Sequence, residues 1–206
     1  MTSVKPDAPR RGRPRSDRAR RAILEATRDQ LAAHGYERLS IQHVADAAGV
    51  GKQTIYRWWP SKRALVAECV IEGYVLPTGE GPPDTGDLRA DLRAWFRAIA
   101  EQYGREPQSS LLRALVAAAA ESEEVAAKLL ARFGEPYRAT LASRLRTAKG
   151  ADRVRADAPL DLVAEALIGA LVFRVLSREP VDPDAMLRLA DALLTGIAAG
   201  SQRRRR

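Results

Sequence analysis

Between Ser40 and Pro60 the chain is punctuated so closely that it can hold only two short helices and a tight turn. Ser40 is a capping residue type, and Ile41, Val44, Ala45 and Ala48 follow it at the spacing of one helical face. Gly49-Val50-Gly51 then interrupts, and a second helix running from about Lys52 to Trp59 is stopped by Pro60. Two short helices joined by a three-residue turn containing glycine form the helix-turn-helix pattern, whose second helix lies in a DNA major groove. Upstream, a helical period begins at Asp17, sets Ile23, Leu24, Thr27 and Leu31 on one face, and stops at Gly35, with Tyr36 placed to pack back on Leu31.

The second helix has the wheel that DNA recognition requires. At about 100° per residue, Ile55, Trp58 and Trp59 fall in one apolar sector that faces the preceding helices. Gln53 and Arg57 lie opposite, flanked by Thr54 and Tyr56. Amide and guanidinium groups form paired hydrogen bonds with base edges, and hydroxyls suit phosphates.

Charge supports the same partner. The net charge is +8 over 206 residues. Residues 1–21 carry eight basic side chains against two acidic ones, residues 22–75 are balanced, and the chain ends in four arginines. Basicity gathered in tails suits a polyanion, whereas evenly spread charge would speak only to solubility. Residues 1–16 are rich in Pro, Arg and Gly without apolar period and read as a disordered arm. Within it Arg11-Gly12-Arg13-Pro14-Arg15 is similar to the core of an AT-hook. The sequence leaves open whether Arg11 and Arg13 enter a minor groove or only neutralise phosphates.

After Ser61, which caps a helix carrying Leu65 and Cys69, three prolines and three glycines between Pro77 and Gly86 mark a linker. Everything downstream reads as helix: a stripe from Leu88 to Tyr103, then Leu111 to Ala120, Val125 to Ala148, Pro159 to Leu176 and Pro183 to Ala199. The divisions expected are an arm over 1–16, a helix-turn-helix domain over 17–75, a C-terminal helical dimerisation domain over 76–200, and a basic tail over 201–206. The last two helices are apolar nearly all round, so one face must meet a partner, and Leu167, Leu171, Leu189, Leu193 and Ile197 are the candidate interface.

Other function classes find little support. His34 and His43 lack companions at metal-ligand spacing, no nucleophile stands in a catalytic frame, and no cofactor or enzymatic activity is expected. The single cysteine, Cys69, reads as a small core residue and excludes an internal disulfide. No apolar run approaches the ~20 residues of a membrane span, so a cytoplasmic protein with no membrane partner is expected.

The segment Ile23 to Leu65 resembles the DNA-binding domain of the TetR family of bacterial regulators. The resemblance rests on Gly35-Tyr36 before Ser40, on Thr54 and Tyr56, on the aromatic pair Trp58-Trp59, and on Ser61-Lys62. It departs at Gly51, where the family often has Ser or Thr, and at the tryptophan pair, which replaces Tyr-Phe. The resemblance implies an all-α protein with an N-terminal three-helix DNA-binding domain and a C-terminal helical domain that binds a ligand and dimerises. It also implies phosphate contacts from Thr54, Tyr56 and Lys62, and a Ser40 that presents its helix end to the DNA backbone. With Arg11, Arg13, Lys52, Gln53 and Arg57 these are the candidate contacts to a double-stranded operator. Trp95, Phe96, Tyr103, Phe133 and Tyr137 lie on segments that surround the effector cavity in such proteins, and a mostly apolar pocket for a small molecule is expected. The function expected is a homodimeric repressor released by that ligand. The alternative is a constitutive or architectural DNA-binding protein whose body only dimerises.

Overall fold

The computed structural model describes residues 13–76, 81–148 and 158–196, and its regular elements there are all helical. Helices α1 (Arg13–Arg38), α2 (Ile41–Ala48), α3 (Lys52–Trp58) and α4 (Lys62–Ile71) build a head. Helices α5 (Leu88–Tyr103), α6 (Gln108–Glu121), α7 (Glu123–Leu129), α8 (Glu135–Ala148), α9 (Leu160–Leu176) and α10 (Pro183–Gly196) build a body, with a π-helical turn, Leu130–Gly134, between α7 and α8.

Local sequence explains most boundaries. The Ser40 side chain accepts from the Gln42 N–H, and Gly49 closes α2 in the left-handed conformation at φ 66°. Ser61 caps α4 by accepting from Ala64 N–H, Asp87 caps α5 and Ser122 caps α7. Gly51 opens α3 with no side-chain cap. Helix α1 starts at Arg13, earlier than the apolar period at Asp17, because Arg and Ala sustain a helix and Pro14 falls in its tolerant first turn. Residues 13–16, expected within a disordered arm, are therefore helical.

Gly35 breaks α1 at φ 72°, ψ 175°. A Cβ there would lie 2.7 Å from the Pro107 Cβ, so glycine serves both the turn and the close approach of the head to the start of α6.

Two cores form, and α6 joins them. In the head, Ile23 and Leu24 of α1, Val44 of α2, Ile55 of α3 and Leu65 of α4 are fully enclosed. Each such side chain contributes about 1.5–3 kcal/mol of burial. Leu111, Leu115 and Ala118 of α6 belong to that same core. In the body, Leu92 and Phe96 of α5 pack with Leu141, Leu167, Met186 and Leu187 from α8, α9 and α10. Leu112, one residue round from Leu111, packs on this second core. The Leu- and Ala-rich run of α6 thus lets one helix serve both sides.

A buried ion pair fixes the end of the linker to the start of α5 and to α8. Arg144 donates to Asp91 at 2.6 Å and to the Pro83 carbonyl at 3.0 Å, while Thr85 donates to Asp91 from its hydroxyl and its backbone N–H. The Thr85 hydroxyl foremost, with Arg144, holds the Asp91 carboxyl below its usual range.

Candidate DNA-binding face and body cavity

Helix α3 lies on the head with Ile55 and the following Trp59 buried, and Trp58 half-buried edge-on to Trp59 at 5.5 Å between ring centres. Its outer face presents Lys52, Gln53, Tyr56 and Arg57, all exposed, with Thr54 half-buried at the margin. The Arg57 guanidinium rests 5.4 Å from the Trp58 ring centre, a cation–π contact that leaves its donor edges free for a groove. Ser40 and the first turn of α2 are on the same head, with exposed Gln42 bonded to Asp46.

Lys62 is held within the head. Its ammonium donates to the carbonyls of Tyr36, Glu37 and Leu39 at 2.9, 3.4 and 3.1 Å and sits over the Tyr36 ring. Its three protons are thereby committed, and burial lowers its pKa. As the first residue of α4, where the helix dipole disfavours a cation, it is held by the carbonyls ending another helix. Arg11 lies outside the described residues, as do the terminal arginines.

The body contains a cavity of about 510 Å³. Helix α5 contributes Trp95, Ile99 and Tyr103, and α6 contributes Leu112, Val116 and Ala119. The π-helical turn and α8 add Leu130, Phe133 and Tyr137, and α9 closes it with Ile168, Leu171 and Val172. Four of the five aromatic candidates therefore line it. Phe96 does not: it is fully enclosed behind Trp95, with ring centres 5.3 Å apart, in the body core. Burial foremost, with Tyr137 beside it, pushes the Tyr103 pKa upward.

The face of α9 assigned to a partner also needs correction. Leu167 and Leu171 are buried within the chain, Leu171 against the cavity, while Leu189 and Leu193 are half-buried on the body core. The exposed apolar stripe is Leu162, Ala166, Gly169, Phe173 and Leu176, with Phe173 64% exposed. A helix apolar all round does not reveal in its sequence which side the chain itself covers. Ile197 lies outside the described residues.

Cys69 is buried against the Leu24 carbonyl, and burial pushes its thiol up to about 12. His34 and His43 are exposed, and among the described residues no set of three His, Cys, Asp or Glu could hold a metal. No helix among them is long and apolar enough to cross a membrane.

A recognition-type helix projecting from a small head, on a helical body with its own cavity, defines a helix-turn-helix DNA-binding transcriptional regulator. Residues 23–69 match the family described as bacterial regulatory proteins, tetR family, and residues 82–193 match the tetracyclin repressor-like C-terminal domain. The chain belongs to the TetR family. It is 31% identical over 173 residues, 84% of each chain, to an HTH-type transcriptional regulator of Mycobacterium tuberculosis. It is 27% identical, over 84% of this chain and 90% of the other, to the DNA-binding transcriptional repressor TetR of Mycobacteroides abscessus. Among solved structures, the TetR family transcription regulator SCO0332 superposes with a TM-score of 0.59 at 34% identity, over 88% of this chain and 99% of that one.

Proposed function

We propose that this regulator is a cytoplasmic homodimeric repressor that leaves its operator when a small molecule fills the body cavity. The observation that carries the reading is the double role of α6. One face of it, Leu111, Leu115 and Ala118, belongs to the head core, and the adjacent face, Leu112, Val116 and Ala119, walls the cavity. A ligand that displaces this wall therefore acts on the packing that orients α3. Arg63 of α4 is also paired with Glu121 at the end of α6. The similarity to a DNA-binding transcriptional repressor supports the sign of regulation.

On DNA, Gln53 and Arg57 read bases. Lys52, Thr54, Tyr56 and the Ser40 end of α2 contact the backbone, and the arm with Arg11 adds electrostatic affinity. Dimerisation through the exposed stripe of α9 and the neighbouring surface of α10 places two copies of α3 about one DNA turn apart, ~34 Å.

The test is operator binding with and without a molecule shown by calorimetry to occupy the body. Affinity should fall about 5- to 150-fold on saturation, and transcription from a promoter carrying the operator should rise. Unchanged DNA affinity at saturation would leave the constitutive reading, in which the body only dimerises.

A further inference from the structure

We infer that the body cavity takes an uncharged, largely apolar molecule bearing a hydrogen-bond acceptor, an inference that rests on this cavity being the effector site. Its volume of about 510 Å³ is in the range of sites for drug-sized ligands. None of its described lining residues is Asp, Glu, Lys, Arg or His. A carboxylate or ammonium entering it would lose its water shell and gain no counter-charge.

Aromatic walls can compensate a cation, and Trp95, Tyr103, Phe133 and Tyr137 supply four rings. One of them is already engaged: the Arg132 guanidinium lies 5.6 Å from the Phe133 ring centre, so a second cation on that ring meets a like charge. Nor do the tyrosines offer an anion. Burial, with Tyr137 beside it, holds the Tyr103 proton well above its usual pKa. Arg132 itself is not a lining residue; its guanidinium lies beside the Phe133 ring.

The acceptor follows from the tyrosine hydroxyls. Tyr103 and Tyr137 each bring one O–H proton to the lining. Either can be donated to a carbonyl or ether oxygen of the ligand. The rest of the lining gives shape and apolar contact.

The test is calorimetric titration of the full-length chain with four matched probes: 2-acetylnaphthalene, naphthalene, 2-naphthoate and 2-naphthylmethylammonium. The ketone should bind at least about 100-fold tighter than either ion. Tyr103→Phe and Tyr137→Phe keep the rings; one or both should weaken the ketone about 2- to 12-fold and leave naphthalene within about twofold. Ala119→Phe fills the cavity from α6 and should remove ketone binding, with circular dichroism checking the fold. An ion that binds within tenfold of the ketone overturns the inference while keeping the cavity as the effector site. No binding by any probe, or ketone binding insensitive to all three substitutions, overturns the inference and the effector-site reading together. A ketone that binds with the expected selectivity but leaves operator affinity unchanged upholds the chemistry of the cavity and sinks ligand-controlled release.

Discussion

Lys62 and Tyr36 meet twice, through the ammonium over the ring at 4.4 Å and through a hydrogen bond to the Tyr36 carbonyl at 2.9 Å. With the Glu37 and Leu39 carbonyls added, this side chain ties the end of α1 and the residue after it to the first residue of α4. Lys62→Met should therefore destabilise the fold by about 1–3 kcal/mol, the scale of hydrogen bonds from a charged, partly exposed donor. It should leave the salt dependence of DNA binding unchanged, whereas a phosphate contact would take about one unit from the slope. Urea unfolding and anisotropy titrations at several salt concentrations read the two quantities separately. A reduced slope with unchanged stability would return Lys62 to the DNA.

Gln53 and Arg57 stand at the centre of the exposed face of α3, and Tyr56 at its margin is 46% exposed. Alanine at Gln53 or Arg57 should change which base pairs are preferred, by about 1–3 kcal/mol for each bidentate hydrogen-bonded pair removed. Tyr56→Phe should weaken binding to all sequences nearly alike, because a backbone contact carries no base information. Selection from random duplexes by each variant decides: wild-type preference in Gln53→Ala and Arg57→Ala would place another face of α3 in the groove.

The head was legible because its boundaries are written in local chemistry. Ser40, Gly49, Ser61 and Pro60 act within a few residues of themselves, and the burial of Ile55 and Trp59 follows from helical spacing. What was not legible depends on residues far apart. Lys62 finds its three carbonyls only because α1 breaks at Gly35, a distance of 27 positions along the chain. The π-helical turn at Leu130–Gly134 keeps ordinary helical composition, and one extra residue in a turn leaves no periodic mark over so short a span. Phe96 and Trp95 are neighbours of similar character, and only the packing of α8 and α9 puts one in the core and the other on the cavity. The Asp91–Arg144 pair, separated by 53 positions, has no sequence signature at all.

The α9 stripe gives a test of the dimer. Leu162, Ala166, Gly169, Phe173 and Leu176 recur at intervals of four and three, a seam suited to a second helix, and Gly169 lets a partner backbone approach closely. A Cβ at Gly169 would touch nothing within 4 Å in the single chain. Phe173→Glu should yield a folded monomer, because the charge stays in water when the partner is absent. Leu167→Glu should instead unfold the body, since its side chain is fully enclosed. Sedimentation at micromolar concentration with circular dichroism distinguishes them. A Phe173→Glu protein that remains a wild-type dimer would rule out this seam.

Glu106 carries the clearest pH consequence, at the point where α6 begins beside the contact of Gly35 with Pro107. Its carboxylate accepts from Arg113 at 2.5 Å and from the Ser110 N–H at 3.2 Å. Arg113 foremost, with Ser110 and Ser109, lowers its pKa from an ordinary 4.5 to about 2. A carboxylate whose folded pKa is depressed stabilises the fold above its unfolded pKa and loses that contribution as pH falls through the folded one. The stability difference between wild type and Glu106→Gln should thus be flat above pH 5, shrink below about 4.5 and approach zero near pH 2. Because the group is largely exposed, solvent screening holds the plateau to about 1 kcal/mol or less. If the chain unfolds in acid first, the Glu106 carboxyl carbon resonance should still report an ionised group until unfolding begins. A titration midpoint near 4.5 in the folded protein would show that Arg113 and the serines do not hold this carboxylate.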